Sequence, residues 1–397
     1  MGQPVRQQIK EMHPETTTEP IMTLLIDGNS LLRMSFRDDK INTNGIHYGA
    51  VFQFLLQLRM MLQKTDGRAD YVYCFFDAHD SGILRYQIYP EYKANRDKDY
   101  AQSLTETSDY MKELNAKLAQ MQNYLYKKKE KPAKKKTDAE KFVDENFDRE
   151  RDILLKYFNE LYIRWMIDEK TEGDDLISYY VQHKKPEEKI VIISGDEDLT
   201  QLISETVCVY STRLKKFLSH ENFKRIKGFP HENVVTKKVF CGDKSDNIGN
   251  IAGVSEARLV ELMPEILTRP VAINEVRERA KEKVDERIAQ KKKPLKWQEN
   301  IVNGVSNNVY PGDFYEINEK IINLSHPLLT EEAEQELKDM MYNVQDPEGR
   351  SFENLYNYIL EDGIDDLSDS ERFSNFFEPF KVLADKEIKN YMKVFKK

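Results

Sequence analysis

Short apolar runs that end in acids alternate along this chain with longer stretches whose apolar residues recur at three- and four-residue steps. TLLI (23–26), YVYCFF (71–76), YIRWMI (162–167), KIVII (189–193) and TVCVYS (206–211) are β-branched or aromatic and bounded by turn formers, which predicts strands. Residues 49–63 carry an amphipathic helical pattern, and a helix starts at Glu172 to Asp175 in TEGDDLISYYVQH. Between the second and third strands lies a predicted pair of long helices. One spans residues 104–128 with the stripe Tyr110, Leu114, Leu118, Met121 and Leu125. The other spans about 138–161 with Phe142, Leu154, Leu155, Phe158 and Leu161, and a lysine-proline break separates the two. Strands alternating with helices predict an α/β fold, a central mostly parallel sheet with helices on both faces. Beyond it, residues 230–268 read as short helices with Gly-containing turns, 277–293 as a charged helix, and 330–395 as helices with scattered aromatics. The expected division is a flexible tail (1–21), an α/β domain (22–229) and a helical C-terminal region (230–397).

Composition narrows the picture. Hydrophobic residues at 40%, charged residues at 32% and aromatics at 11% of 397 residues describe a folded chain with a heavily charged surface. No apolar run approaches the ~20 residues of a membrane helix, and no signal-peptide core is present, so the expected location is the cytoplasm, without a membrane partner. The three cysteines, Cys74, Cys208 and Cys241, are expected to be free buried thiols. The net charge of −9 argues against a polyanionic partner, but lysines gather at 127–136, 214–227 and 277–296 while acids gather at strand ends. Charge separated in this way suits a protein that binds a polyanion on one surface and cations in one pocket.

Those acids carry the chemistry. Asp27 follows the first strand and Asp77 the second; Glu172, Asp174 and Asp175 come after the third, and Asp196 and Asp198 after the fourth. In a parallel sheet these positions share the carboxyl edge, where ligands bind. Two carboxylates ~4 Å apart repel by ~4 kcal/mol at an effective dielectric near 20, so the convergence requires cations. Oxygen donors without histidine or cysteine select Mg²⁺, with Mn²⁺ able to substitute. Two such ions would suit phosphoryl displacement. An acid after a strand also serves as a helix N-cap, and Asp175 and Asp198 are candidates for that role. Downstream, CGDKSDNIGNIAGVSEARL spaces Asp243 and Asp246 three apart and offers Gly249 and Gly253 for tight turns whose amides would meet a phosphate.

The ordered motifs LIDGNS, FFDAHDSG, YPEYKANRDKDYAQ, EGDDLI, IISGDEDLTQL and GDKSDNI resemble the PIN-like 5′-nuclease superfamily, the flap endonucleases and 5′-to-3′ exonucleases, and within it the bacteriophage members of the T-even RNase H type. The resemblance covers roughly residues 22–265. It implies that Asp27, Asp77, Glu172 and Asp174 hold a first metal. Asp174, Asp196, Asp198 and Asp243 would hold a second, with Asp175 and Asp246 nearby. It makes Lys93 and Arg96 the grip on the scissile phosphate, with Asp27 and Asp174 catalytic beside them. Tyr92 becomes a base-stacking aromatic, and Arg85, Gly249, Gly253 and Arg258 further nucleic-acid contacts. The segment 97–160 corresponds to the family's helical arch, here with a lysine-rich tip, and 240–265 to its helix-hairpin-helix duplex-binding motif. The implied activity is metal-dependent removal of RNA primers and 5′ flaps in phage replication or repair, leaving 5′ phosphates. The implied partners are DNA and RNA–DNA hybrid with 5′ ends or flaps, single-strand-binding protein and a sliding clamp, met by a monomer. The hairpin departs from the family: Gly253-Val254-Ser255 is followed by Glu256-Ala257-Arg258 where lysine is usual, which weakens monovalent-cation binding there. In the tail, SERFSNFF (370–377) spaces its phenylalanines like a clamp-binding plug, although aromatics at helical spacing more often pack in a core. Two readings stand beside the nuclease: a receiver-type phosphoaspartate signalling module, and a catalytically silent DNA-binding relative. A receiver would need neither Asp243 and Asp246 nor a basic arch, and a silent relative would have no reason to keep so much repulsion.

Overall fold

The computed structural model describes residues 21–65, 67–94 and 137–395. The first predicted arch helix, its lysine-rich tip and Arg96 lie outside the described residues.

Six strands form one sheet: β1 (Met22–Asp27), β2 (Tyr71–Asp77), β3 (Arg164–Asp168), β4 (Lys189–Ser194), β5 (Val207–Ser211) and β6 (Lys216–Leu218), in the order β3-β2-β1-β4-β5-β6. All neighbours are parallel except β5 and β6. Their near-continuous apolar sequences follow from burial on both faces. In β1, Leu24 and Ile26 enter one core and Leu25 the other; in β4, Val191 and Ile193 oppose Ile190 and Ile192 in the same way. The chain runs outward from β1 through β2 to β3, then returns to β1's other side for β4. That reversal opens a crevice at the carboxyl ends of β1 and β4.

On one face lie α1 (Gly28–Ser35), α2 (Gly49–Lys64) and α3 (Asp138–Glu160). The last of these is the second predicted arch helix, started by a capping box in which Thr137 accepts from the Glu140 amide. On the other face lies α4 (Gly173–His183). A third core gathers α5 (Val234–Cys241), α6 (Glu256–Leu262), α7 (Ile273–Ala289), α8 (Lys296–Asn303) and α9 (Phe314–Ile322) around Phe240, Ile251 and Ile301.

The C-terminal region is not one body. After α9 the chain returns to the sheet: α10 (Glu331–Tyr342) covers the α4 face, while α11 (Phe352–Glu361), α12 (Ser370–Phe377) and α13 (Lys381–Phe395) join the α2 face. Phe373, Phe376 and Phe377 are buried in that core, so the clamp-plug reading of SERFSNFF gives way to packing. β6 was not expected; it comprises only three residues inside a stretch that reads as basic surface. The charged helix begins at Ile273 rather than near residue 277. All three cysteines are free, two of them buried. Among the described residues, no helix is long and apolar enough to cross a membrane.

Candidate active site

The crevice is built by β-strand ends and the helix starts that follow them. Gly28 lets α1 begin hard against β2, since a Cβ there would lie 2.6 Å from the Phe76 ring. That brings Asp27, Asn29 and Ser30 to the sheet edge. Asp27 does cap α1, accepting from the Ser30 amide at 2.9 Å, and its second oxygen accepts from the Ser194 hydroxyl at 2.5 Å. Asp77 accepts from the Gly173 amide at 2.6 Å, tying β2 to the start of α4, and from the Asn29 amide group at 3.0 Å. Glu172 precedes α4 without capping it. Ser194 in turn accepts from the Asp196 amide, and Asp196 from the Asp198 amide.

Electrostatics show that Asp27, Asp77, Asp174 and Asp196 form one group. Burial pushes the Asp27 carboxyl up to about 7, with the charges of Asp77 and Asp196 adding to it against the Ser194 and Ser30 bonds. Asp77 is raised by burial and by Glu172, with Lys93 opposing. Asp174 is raised well above the carboxylate range by burial, then by Asp196, Asp27, Asp77 and Glu172, with no opposing cation among its main influences. Its carboxylate receives no hydrogen bond or salt bridge among the described residues. Glu172 differs. Burial would raise it, but Lys93 and Arg85 outweigh burial and bring it to about 2.

A second group lies beside the first. Asp198, Asp243 and Asp246 place carboxylate oxygens within 4.8 Å of one another. Lys238 of α5 bridges it, its ammonium on Asp198 and, at 2.5 Å, on Asp243. Lys238 holds Asp243 down at about 2 against the effect of burial. Asp196 and Asp198 thus face different groups, while Glu197 between them is exposed and pairs with Lys227 at 2.5 Å.

The structure redirects several expectations. Arg85 is buried; its guanidinium binds Glu172 at 2.6 Å, Asp175 and the Ile321 carbonyl, so it is an internal counter-ion rather than a surface phosphate contact. Asp175 is spent on Arg85 and on the Leu328 amide at 3.0 Å, and faces away from the acidic group. Tyr92 is buried with its hydroxyl 3.2 Å from Glu172, so its ring is not presented for stacking on a base. Lys93 sits at the rim with φ of 53°, a left-handed backbone unusual for lysine; its amide donates to the Asp246 carbonyl at 2.9 Å and its ammonium reaches Glu172. Gly249 donates its amide to the Tyr310 hydroxyl at 3.0 Å, so that amide is engaged inside the protein. Gly253 adopts φ of 80° in the hairpin turn, and Arg258 is exposed, donating to the Gly253 carbonyl beside the Trp297 ring. Sequence reasoning missed Lys238, Asn29, Ser30 and Ser194. The last three stand inside the quoted motifs but look there like ordinary turn formers.

Comparison with known proteins agrees with this geometry. The sequence profile described as 5′-3′ exonuclease, N-terminal resolvase-like domain, matches residues 22–228, just over half of the chain. The chain belongs to the 5′-3′ exonuclease family. It is 26% identical over 278 residues to DNA polymerase I of Bacillus subtilis, covering 68% of this chain and 26% of that protein. A 5′-3′ exonuclease of Mycoplasmopsis pulmonis is 38% identical over 86 residues, 21% of this chain and 29% of the relative. The chain thus spans about a quarter of the length of these relatives. Among solved structures, the T5 D15 protein co-crystallised with metal ions superposes with a TM-score of 0.55 at 16% identity, covering 81% of this chain and 98% of that one. The T5 5′-exonuclease with bound zinc gives 0.55 at 17% identity, with the same coverage. The matched span includes Asp27, Asp77, Asp174 and Asp196 of the crevice.

Proposed function

We propose that the protein is a Mg²⁺-dependent 5′-nuclease that removes 5′ flaps and RNA primers from DNA by two-metal hydrolysis. The observation that carries this is Asp174: a carboxylate raised by burial and by four neighbouring acids, with neither hydrogen bond nor cation among the described residues. A fold tolerates such repulsion when a cation relieves it. Asn29 adds to the fit, since its side-chain oxygen is buried without a partner next to Asp77. Donors of this kind, all oxygen, suit a hard divalent ion.

Asp27, Asp77, Asp174 and Asp196 would hold one ion, and Asp198, Asp243 and Asp246 a second. Bound there, the ions would supply charge stabilisation at the phosphodiester and lower the pKa of an attacking water. The chain's own part is positional. Glu172, itself held by Arg85, holds Lys93 at the rim, where its ammonium can turn from Glu172 to an incoming phosphate. Lys238 bridges Asp198 and Asp243 and keeps Asp243 ionised until their cation arrives. Exposed Arg258 beside the hairpin turn is placed to meet the duplex backbone. Substrates of this reading are DNA flaps and RNA–DNA hybrids with 5′ ends. Family membership weighs against the receiver module, and the intact acids weigh against a silent relative.

The test is cleavage of a 5′-flap duplex and of an RNA–DNA hybrid, side by side, with Mg²⁺ or Mn²⁺. Both should yield 5′-phosphate products, Asp196→Asn should lose at least ~10²-fold in rate, and Glu197→Gln should stay within about threefold, as expected of a surface change. Absence of cleavage, or an undiminished Asp196→Asn, overturns the reading.

A further inference from the structure

Away from the carboxylate crevice, His220, His231 and Glu232 each bring one ligand atom within 4.8 Å of the others. His220 stands in the turn after β6, and His231–Asn233 forms the short turn that leads into α5. The His220 Nδ1 lies 3.0 Å from the His231 Nε2, which lies 3.6 Å from a Glu232 carboxylate oxygen. A tetrahedral ion at 2.0–2.2 Å from nitrogen and carboxylate ligands holds them ~3.3–3.5 Å apart. Both His231 distances are therefore within a few tenths of an ångström of that spacing.

We propose that His220, His231 and Glu232 form a binding site for a transition-metal ion, zinc by preference, separate from the nuclease crevice. Two imidazoles and one carboxylate suit a borderline ion, whereas the all-oxygen crevice suits Mg²⁺. The His231 ring is held in place from the inside, 93% buried and edge-on to Phe223 at a centroid distance of 6.0 Å. His220 and Glu232 are exposed, which gives an ion access and leaves a fourth position for water. An ion on Nε2 places the ring proton on Nδ1, which is buried without an acceptor. Lacking that outer hydrogen bond, the site should bind roughly 10–100-fold more weakly than one that has it. The ion would pin the edge of the sheet to the start of α5, the helix that carries Lys238.

Full-length, tag-free protein titrated with Co²⁺ in excess Mg²⁺ tests this by visible absorption. One equivalent should give the intense ligand-field bands of a four-coordinate site. Zn²⁺ should erase them, His220→Ala should abolish them, Glu232→Gln should weaken them, and Asp174→Asn should leave them intact. Because His220 is exposed, the His220→Ala protein should keep its circular dichroism spectrum and its Mg²⁺-dependent cleavage. Absence of the bands, or their persistence in His220→Ala, overturns the site. Bands lost instead in Asp174→Asn would assign the cobalt to the crevice and overturn it equally.

Discussion

Burying Asp27 beside Asp77 and Asp196 lifts its pKa from 3.8 to about 7, so the folded chain holds a proton there more tightly than the unfolded chain. A carboxyl raised on folding costs stability when it ionises: the penalty is absent below the unfolded value and grows as pH climbs to about 7. Asp174 is displaced in the same direction by burial and its acidic neighbours. Asp174→Asn should therefore raise the thermal midpoint in EDTA at pH 8, the gain should vanish near pH 4, and cleavage should fall at least ~10²-fold. A lower midpoint in EDTA at pH 8 would show that the carboxylate is structural. Lys238 has the opposite sign. It pairs with Asp198 and Asp243 and holds Asp243 ionised, so Lys238→Met should lower the EDTA midpoint at neutral pH and enlarge the stabilisation by added Mg²⁺. Scanning calorimetry with and without the ion measures both, and an unchanged Mg²⁺ increment would dismiss the bridging role. Asp27 and Asp77 were legible in the sequence because each closes an apolar strand. The counter-ion of Asp198 and Asp243 was not. Lys238 is five residues before Asp243 and forty after Asp198, and only the fold brings the three together.

At the scale of elements, α3 shows what periodicity carries and what it omits. Leu154, Phe158 and Leu161 are buried as the stripe predicts, whereas Phe142 is 39% exposed. In the middle of the buried face sits Glu150, fully buried, whose partner His47 is 103 residues distant. The His47 Nδ1 meets the Glu150 carboxylate and its Nε2 the Asp38 carbonyl at 2.8 Å. Both ring nitrogens face acceptors, which only the imidazolium satisfies. Burial opposes the charge, but Glu150 and the Asp38 carbonyl prevail and raise the pKa above 6.5. A histidine raised on folding contributes its full stabilisation below 6.5 and loses it as pH rises through the folded value. Wild type should exceed His47→Gln in stability by about 1.5–3 kcal/mol at pH 5.5, with the difference shrinking above neutrality. Denaturant titrations at several pH values check this, and a difference independent of pH would mean that the ring acts only by packing against Phe36 and Phe142. A period of 3.6 could not announce this bond, because it depends on a residue in another element. The same limit hid β6, too short for any period to register.

Across the whole molecule, the last helices add a further layer over the α2 face of the sheet. Residues after 350 return to the α2 side, where Arg59 donates to the Phe376 carbonyl at 2.9 Å, Lys40 meets Asp366 at 2.7 Å and the Tyr157 hydroxyl meets Asp362 at 2.8 Å. Phe377 is 1% exposed, with ring centroids of Phe373 and Phe376 at 4.9 Å and Phe380 at 5.3 Å. These aromatics share a core with Leu24 and Ile26 of β1, the strand that ends in Asp27. The tail and the sheet therefore share one core, which predicts that they unfold as one unit. Removing a buried phenylalanine side chain costs about 3–5 kcal/mol in transfer and cavity energy. Phe377→Ala should lower the stability of the entire α/β part by that amount, as one cooperative transition, while cleavage at 20 °C per folded molecule stays at the wild-type rate. Hydrogen exchange resolved by segment distinguishes the alternatives. If amides of β1 and β4 keep wild-type protection while those of α12 alone exchange faster, the tail is an appended unit, and its aromatics are again available to a partner.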